Sequence, residues 1–308
     1  MSVTLIAAVV ALVLGHLAPS LAASVRHYGW YADWLRWLGT RFAAGSPWHG
    51  RWGIALALVP PVLAVGVFQL ALDEPLYGLA GLLLGIAVLF YSWGPRDLDV
   101  DVNAIVDADD ALSRRRAAAA LWPHGATPSL DGGALVGAVF ESALRRWFGV
   151  LFWFLLLGPV GALLYRLAAV SAEGDVARSL PSENAAGART LLAVLDWPVA
   201  QLMSLSLALV GNFDTALGAW RDAGGASLTL DHRFLAAAAR ASVRVELAEE
   251  AQDEEIGMPH GGNPAGGSQV LLDAADMPEL RDAMSLVWRS LLVWLAILAL
   301  FVIAGWVS

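Results

Sequence analysis

The chain contains no cysteine and no lysine, so all 19 of its basic residues are arginine. Without cysteine it can form no disulfide, no thiolate nucleophile and no cysteine-ligated metal site. Without lysine it can form neither a Schiff base nor a Walker-type phosphate loop. The six histidines show no HxxxH or HExxH spacing, so no metal site is predicted, and no cofactor can be named.

Charged residues are also scarce, since they make up only 15% of the chain. A soluble domain carries about 25%. The net charge of −9 argues against a basic surface that would bind nucleic acid. Apolar residues reach 58%, and the mean hydropathy is +0.61. The composition therefore predicts an integral membrane protein, with the lipid bilayer as a partner.

Apolar runs predict where the chain crosses the membrane, because a helix needs about 20 such residues to span the hydrocarbon core. Six runs qualify, at 3–19, 53–72, 76–93, 150–170, 190–211 and 286–307. Pro60 and Pro61 are expected to kink or break the second run. The run at 190–211 is the most polar, since it contains Asp196 and Gln201.

Arginine placement predicts the orientation, because cytoplasmic loops retain the excess of basic residues. With six spans, loops 20–52, 94–149 and 212–285 hold fifteen arginines, whereas 171–189 holds two. These loops are expected inside the cell and both termini in the periplasm. The first run could instead be a secretory signal cleaved near residue 23, although no basic residue precedes Arg26.

The predicted fold is thus a single all-α membrane domain: a polytopic bundle of about six transmembrane helices under a cytoplasmic helical cap. Loops 94–149 and 212–285 would form the cap. In the first of them, Leu98, Val102, Ile105 and Leu112 recur at helical spacing, which predicts one amphipathic helix. The glycine-rich segment 257–267 is expected to be a mobile loop.

Two sets of polar residues are candidate functional groups. Arg166 and Asp196 fall within or near predicted spans, where ionisable side chains are usually paired, so an ion pair between them is predicted. Separate contacts with the membrane interface are the alternative. The ligand-binding candidates lie at the cytoplasmic ends of spans four and five; they are Glu141, Arg145, Arg146, Asn212, Asp214 and Arg221.

If these six side chains converge, arginine forks could bind an anionic small molecule through phosphate or carboxylate. An ion-pair network that anchors the cap would explain the same residues. The sequence shows no recognisable pair of nucleophile and base, so no catalytic residue is assigned and enzymatic activity stays open.

A resemblance accompanies these candidates. Residues 152–166 read FWFLLLGPVGALLYR, residues 196–198 read DWP, and residues 209–214 read LVGNFD. These strings resemble the AmpE/CobD (CbiB) family of membrane proteins. The resemblance implies a multi-pass protein of the bacterial inner membrane.

Two branches of that family imply different functions. CobD-type members join an aminopropanol unit to a corrinoid and make adenosylcobinamide phosphate. They usually carry Asn-x-Ser-Asp-Gly where this chain has 145–149, and an arginine where it has Gln201. The resemblance therefore favours the AmpE branch.

The AmpE branch implies a regulatory or sensory protein of β-lactamase induction and muropeptide (peptidoglycan) recycling. Such a protein would be functionally linked to an AmpD-like amidase, with an anionic small molecule or envelope precursor as a possible partner. The alternative is a membrane enzyme, or a handler of lipid or anionic substrates, related to the CobD synthases.

Overall fold

The computed structural model describes residues 2–17, 24–43, 45–72, 78–94, 96–122, 127–257 and 277–304. Its regular elements within those ranges are helical, which confirms the all-α class for the described part of the chain. The possible cleavage site near residue 23 and the expected mobile loop after Gly257 lie outside the described residues.

The helices, in chain order, are α1 (Ser2–Leu17), α2 (Gly29–Arg41), α3 (Ile54–Ala71), α4 (Gly78–Ser92), α5 (Leu98–Val106), α6 (Ala111–Ala118), α7 (Gly132–Ala143), α8 (Gly149–Leu157), α9 (Pro159–Ala172), α10 (Gly174–Ser179), α11 (Ser182–Val210), α12 (Phe213–Asp222), α13 (Arg233–Gly257) and α14 (Pro278–Ile303). A 3₁₀ turn covers Pro47–His49, and a π-helical turn covers Leu144–Phe148.

The described residues fall into two compact units. The first unit draws on Met1–Asp97, Leu144–Val199 and Leu295–Ser308, and the second on Leu98–Ala143 and Ala200–Trp294. The second unit overlaps most of the two loops that were predicted to form a cap.

Three helices of the described chain are long and apolar enough to cross a membrane: Ile54–Ala71, Ser182–Val210 and Pro278–Phe301. Shorter apolar helices occupy Leu5–Gly15, Gly78–Ser92 and Pro159–Ala172. The structure therefore supports a membrane protein with three candidate spanning helices, not the six that were predicted. Only 17% of the apolar window of α3 is buried, so most of its apolar surface needs lipid around it.

Helix α3 runs through Pro60 and Pro61, which both lie inside it. Of the expected kink or break, the break does not occur. An apolar environment favours this outcome, because neighbouring groups in membrane proteins re-satisfy the backbone positions that proline frees.

The predicted span at 150–170 is broken instead, at Gly158. This glycine ends α8 with φ 68°, a left-handed conformation that suits glycine, and Pro159 starts α9 at a position where proline needs no amide partner. Helices α8 and α9 pack against each other as a hairpin. Gly161 permits the tight turn, because a Cβ there would lie 2.0 Å from the Trp153 carbonyl oxygen.

Gln69 of α3 contacts the turn of this hairpin. Its Nε2 donates to the Leu157 carbonyl at 3.4 Å, and its Oε1 accepts from the Val160 amide at 3.3 Å. The amide side chain thus serves backbone groups that the broken helix leaves without helical partners, as irregular backbone at membrane depth requires.

The two open ends of the hairpin lie together, away from that turn. A Cβ on Gly149, the first residue of α8, would meet the ring of Tyr165 in α9. Arg166 reaches the carbonyl of Ser92 at the end of α4, whereas the turn lies near the opposite end of α3 and α4. The chain therefore enters and leaves the hairpin at the same end of the first unit.

In the second unit, α12 packs on α13, and α13 packs on α7. Trp220 Nε1 of α12 donates to Gln201 Oε1 at 2.8 Å, and Trp294 Nε1 donates to Ser206 Oγ at 2.7 Å. Buried indole groups generally need such a partner.

The single amphipathic helix predicted from Leu98 to Leu112 is two helices. Asp110 starts α6 with a capping box, in which its carboxylate accepts from the amides of Leu112 and Ser113. The register consequently changes, so that Leu112 is 59% exposed while Leu98 is buried. Aspartate at an N-cap offers the chain a stronger local signal than the apolar spacing.

Candidate functional site

The π-helical turn Leu144–Phe148 positions the candidate site in the first unit. It joins α7 to α8 without a loop, and its wider turn sets Arg145 and Arg146 half-buried while Leu144, Trp147 and Phe148 are buried. π-Helical turns inside helices occur often at functional sites.

Tyr165 and Asp196 form the buried centre of the site. Both residues are 0% exposed, and the Tyr165 hydroxyl donates to Asp196 Oδ1 at 2.6 Å. The Tyr165 ring lies over Gly149, where a Cβ would come within 2.1 Å of Cζ. Glycine at 149 therefore lets the tyrosine reach the carboxylate of α11.

Arg145 connects this buried centre to the surface. Its Nε lies 3.7 Å from Asp196 Oδ2, and its Nη1 lies 2.5 Å from Glu173 Oε1. The Arg145 side chain is 19% exposed and that of Glu173 is 35% exposed. An isolated buried carboxylate would be costly, and the guanidinium and the phenol offset that cost for Asp196.

Two other arginines fasten the end of α4 to the hairpin. Arg166 Nε donates to the Ser92 carbonyl at 2.6 Å, and its Nη2 donates to the Arg145 carbonyl at 3.2 Å. Arg26 donates to the carbonyls of Phe90 and Gly94. Cationic groups at a helix C-terminus complement both the free carbonyls and the helix dipole.

Arg26 keeps its charge in this position. Burial lowers the pKa of the Arg26 guanidinium to about 10, with Tyr28 opposing the change, so the group stays protonated at neutral pH. The same burial raises the pKa of the Tyr28 phenol to about 12, so the tyrosine is neutral there.

Arg166 and Asp196, predicted to pair with each other, have different partners among the described contacts. The guanidinium of Arg166 contacts carbonyl oxygens, and the carboxylate of Asp196 contacts Tyr165 and Arg145. The structure thus places Arg145 beside Asp196, and the pairing of Arg166 with Asp196 stays a prediction.

The six ligand-binding candidates divide between the two units. Arg145 and Arg146 belong to the first, where the Arg146 carbonyl accepts from the Gly94 amide at 3.1 Å. The other four belong to the second unit, and these are Glu141, Asn212, Asp214 and Arg221. Convergence of the two groups on one ligand stays a prediction.

In the second unit, the candidates on α12 have local roles. Asn212 caps the helix by accepting from the Thr215 amide at 3.1 Å. Asp214 lies in the first turn and Arg221 in the last, where each charge suits the helix dipole. Glu141 Oε1 lies 3.7 Å from His232 Nε2.

Sequence reasoning missed the parts that Glu173 and Tyr165 play in the cluster. Tyr165 stood in the family-like string, but nothing in its spacing linked it to Asp196, 31 positions away. Glu173 follows a predicted span and was not among the candidate residues. Only the hairpin brings it back to Arg145.

Comparison with known proteins gives two relatives, while no family model and no solved structure matches. The chain is 28% identical over 274 residues to the cobalamin biosynthesis protein CobD of Stutzerimonas stutzeri. The aligned region covers 86% of this chain and 85% of that protein. It is 35% identical over 130 residues to the protein of the same name from Chromobacterium violaceum, covering 39% and 38%. These similarities support a relationship to the CobD/CbiB family.

The comparisons overturn the predicted function. Both relatives carry the name of a cobalamin biosynthesis protein, so the prediction of an AmpE-like regulator was wrong. They give no support to β-lactamase induction, muropeptide recycling or an AmpD-like partner. Too much weight had been given to the differences from CobD-type members at 145–149 and Gln201, although the similarity to CobD extends over most of the chain. Gln201 has a local role here, since it joins Trp220 to the Gly225 carbonyl.

Proposed function

We propose that the protein is an inner-membrane enzyme of cobalamin biosynthesis that performs a CobD-type step, the joining of an aminopropanol unit to a corrinoid. The observation that carries this proposal is the similarity to a CobD protein over 86% of the chain. That region includes both the hairpin and the polar cluster at its open ends.

The cluster of Arg145, Tyr165, Glu173 and Asp196 supplies groups suited to such a substrate. The Arg145 guanidinium lies next to the buried carboxylate of Asp196 on one side, and it is accessible from the surface beside Glu173 on the other. We infer that an anionic group of the substrate replaces Glu173 on the Arg145 guanidinium, whose planar fork matches a carboxylate or phosphate. Tyr165 and Asp196 then fix the orientation of Arg145.

Complementation tests the proposal. The full chain is expressed in a bacterium that lacks its own CobD, and growth is measured on a medium where it depends on cobalamin synthesis. We expect growth to be restored, as it is when the strain is given the corrinoid product directly. If the chain reaches the membrane and growth is not restored, the proposed function is wrong.

Variants distinguish a role of Arg145 in substrate binding from a role in folding. Arg145→Gln is expected to lower complementation at least about tenfold, the equivalent of one charged hydrogen bond. Arg178→Gln is the matched control, because Arg178 also pairs with a carboxylate, Asp175, on the surface of the first unit. Removal of Arg145 also takes a cationic neighbour away from the buried Asp196 carboxylate, which lowers stability as well.

Glu173→Gln provides a test that does not depend on the stability of Arg145→Gln. It removes only the partly exposed carboxylate that competes with the substrate for the Arg145 guanidinium. We expect it to leave protein levels unchanged and to alter the substrate concentration needed for half-maximal activity. Equal activity of all three variants at equal membrane levels would exclude Arg145 from the site and leave the cluster structural.

A further inference from the structure

Helix α2 carries three tryptophans and an arginine along one side. Trp30, Trp34, Trp37 and Arg41 stand at positions i, i+4, i+7 and i+11, which share one face of an α-helix. We call this face the tryptophan stripe. Trp30 is 46% exposed and Trp37 is 47% exposed, so the described protein leaves much of the stripe uncovered. Large exposed apolar surfaces of this kind mark sites of interaction.

The face of α2 on one side of the stripe is already packed against the protein. Tyr31, Leu35 and Leu38 are buried, and the Tyr31 hydroxyl lies 2.8 Å from Ser171 Oγ of α9. A rotation of α2 that buried the stripe would expose these side chains and break that contact. The stripe therefore faces outwards from the first unit.

The face on the other side of the stripe is polar. Asp33 and Arg36 pair with each other there, with side chains that are 67% and 71% exposed, and the exposed Thr40 lies on the same side. Helix α2 thus presents one face to protein and one to water, with the tryptophan stripe between them. Helices that lie along a membrane surface have this arrangement of an aromatic face beside a charged one.

Hydrogen bonds place the stripe at one end of the apolar helices. Trp34 Nε1 donates to the Ala57 carbonyl in the first turn of α3 at 3.2 Å, and Trp30 Nε1 donates to the Tyr91 hydroxyl in the last turn of α4 at 2.6 Å. Helix α3 is a candidate membrane span, and its exposed large apolar side chains begin at Leu56. The stripe therefore continues the lipid-facing surface of α3 at the depth where the span ends.

The chemistry of the stripe suits the headgroup layer of a phospholipid bilayer. Tryptophan settles in that layer because its ring is largely apolar and its N–H is polar. Trp34 and Trp37 stack with their ring centroids 5.1 Å apart, and the Arg41 guanidinium carbon lies 5.4 Å from the Trp37 centroid. The guanidinium is thus held beside the rings, and its planar fork matches a lipid phosphate.

We propose that α2 lies along the membrane surface, with the tryptophan stripe inserted into the phospholipid headgroup layer and Arg41 bound to a lipid phosphate. Ser92, whose carbonyl binds Arg166, directly follows Tyr91, so the open ends of the α8–α9 hairpin then lie at the same membrane surface. This position of α2 does not depend on the reaction that the protein performs.

Spin labels test the position of the stripe. The chain has no cysteine, so a nitroxide on Trp37→Cys or on Arg36→Cys reports from a single site. With the full chain in phospholipid nanodiscs, we expect the label at 37 to collide mainly with oxygen, which partitions into lipid. The label at 36, on the polar face, should collide mainly with a water-soluble nickel complex.

Two results would overturn the proposal. Equal access of the nickel complex to both labels would show that the stripe lies in water. A label at 37 that is shielded from oxygen and nickel alike would show that protein, such as a second copy of the chain, covers the stripe in place of lipid.

A second pair of labels keeps all three tryptophans, in case Trp37→Cys does not fold. Position 41 lies on the stripe and position 40 on the polar face, and both side chains are exposed. The label on Arg41→Cys should therefore show a higher ratio of oxygen to nickel collisions than the label on Thr40→Cys. Equal ratios would contradict the proposal.

Titration of phosphatidylglycerol into the chain in detergent, followed by tryptophan fluorescence, tests the contact of Arg41 with phosphate. A basic residue at an anionic lipid surface contributes about fivefold in affinity, so Arg41→Gln should bind this lipid about fivefold more weakly. Arg36→Gln is the matched control, because Arg36 lies on the polar face and pairs with Asp33. Equal affinity of Arg41→Gln and the wild type would refute the phosphate contact.

Discussion

Gly149→Ala is the sharpest test of the hairpin and its buried centre. The new methyl carbon would lie 2.1 Å from Tyr165 Cζ, whereas carbon atoms prefer separations of about 3.5–4.0 Å. The ring must therefore move by about 1.5 Å to regain normal contact. Tyr165 is fully buried, so that movement displaces the groups around it.

Two costs add in this variant. Overpacking a core costs about 1–3 kcal/mol. The displaced hydroxyl also loses its 2.6 Å hydrogen bond to Asp196, and a bond to a charged group contributes about 1.5–3 kcal/mol. We therefore expect a loss of about 2.5–6 kcal/mol, seen as a fall in melting temperature of at least about 5 °C.

The assay is thermal unfolding of the purified chain in detergent, followed by tryptophan fluorescence. Gly218→Ala is the matched control: it lies in α12, a Cβ there meets nothing within 4 Å, and alanine favours a helix by about 0.5–1 kcal/mol. We expect it to melt at or slightly above the wild-type temperature.

A double variant separates the steric cause from others. Leucine at 165 lacks Cζ, so Gly149→Ala should add little to the effect of Tyr165→Leu. Additive losses in the double variant, or a Gly149→Ala protein that melts within about 2 °C of the wild type, would refute the reasoning.

Three further outcomes are expected. Gln69→Leu should cost about 1–3 kcal/mol in thermal unfolding, because an amide and a carbonyl at the hairpin turn lose their side-chain partner; no loss would mean that the turn does not need it. The amides of Ser113 and Leu112 hold the pKa of Asp110 below its ordinary value, so the cap stabilises α6 above the usual aspartate range and fails as pH falls through the lowered pKa. Hydrogen-exchange protection of α6 should therefore drop only below about pH 4 in the wild type, and Asp110→Asn should abolish that pH dependence. Finally, an impermeant maleimide should label Ser182→Cys and Trp52→Cys from the same side of the membrane, because the hairpin returns the chain to the side from which it entered. Labelling from opposite sides would show that residues 150–170 cross the membrane after all.

The helical class was predictable from the sequence because long apolar runs allow few other structures in lipid. The number of crossings was not, because hydropathy counts apolar residues without detecting where a helix stops. Gly158 and Pro159 mark the end of one helix and the start of the next, but they lie inside an apolar run. The turn between the two helices also depends on Gln69, which is distant in sequence and gives no local indication of its contact.

The candidate site was predictable in part. Arg145 was identified as a charge at the end of a predicted span and Asp196 as a charge within one, but their contact depends on how the π-helical turn and α11 meet. Arg166 follows Tyr165 directly, and successive residues of a helix point about 100° apart, so the arginine faces α4 while the tyrosine faces Asp196.

The carbonyl contacts of Arg26 and Arg166 have a consequence for how this chain can evolve. Each guanidinium serves two carbonyl oxygens through two different nitrogens, and the single ammonium of lysine does not match that fork. Codon bias in a GC-rich genome is the simplest interpretation of the missing lysine at the other basic positions. In relatives from AT-rich genomes, other basic positions should accept lysine codons freely, whereas 26 and 166 should stay arginine.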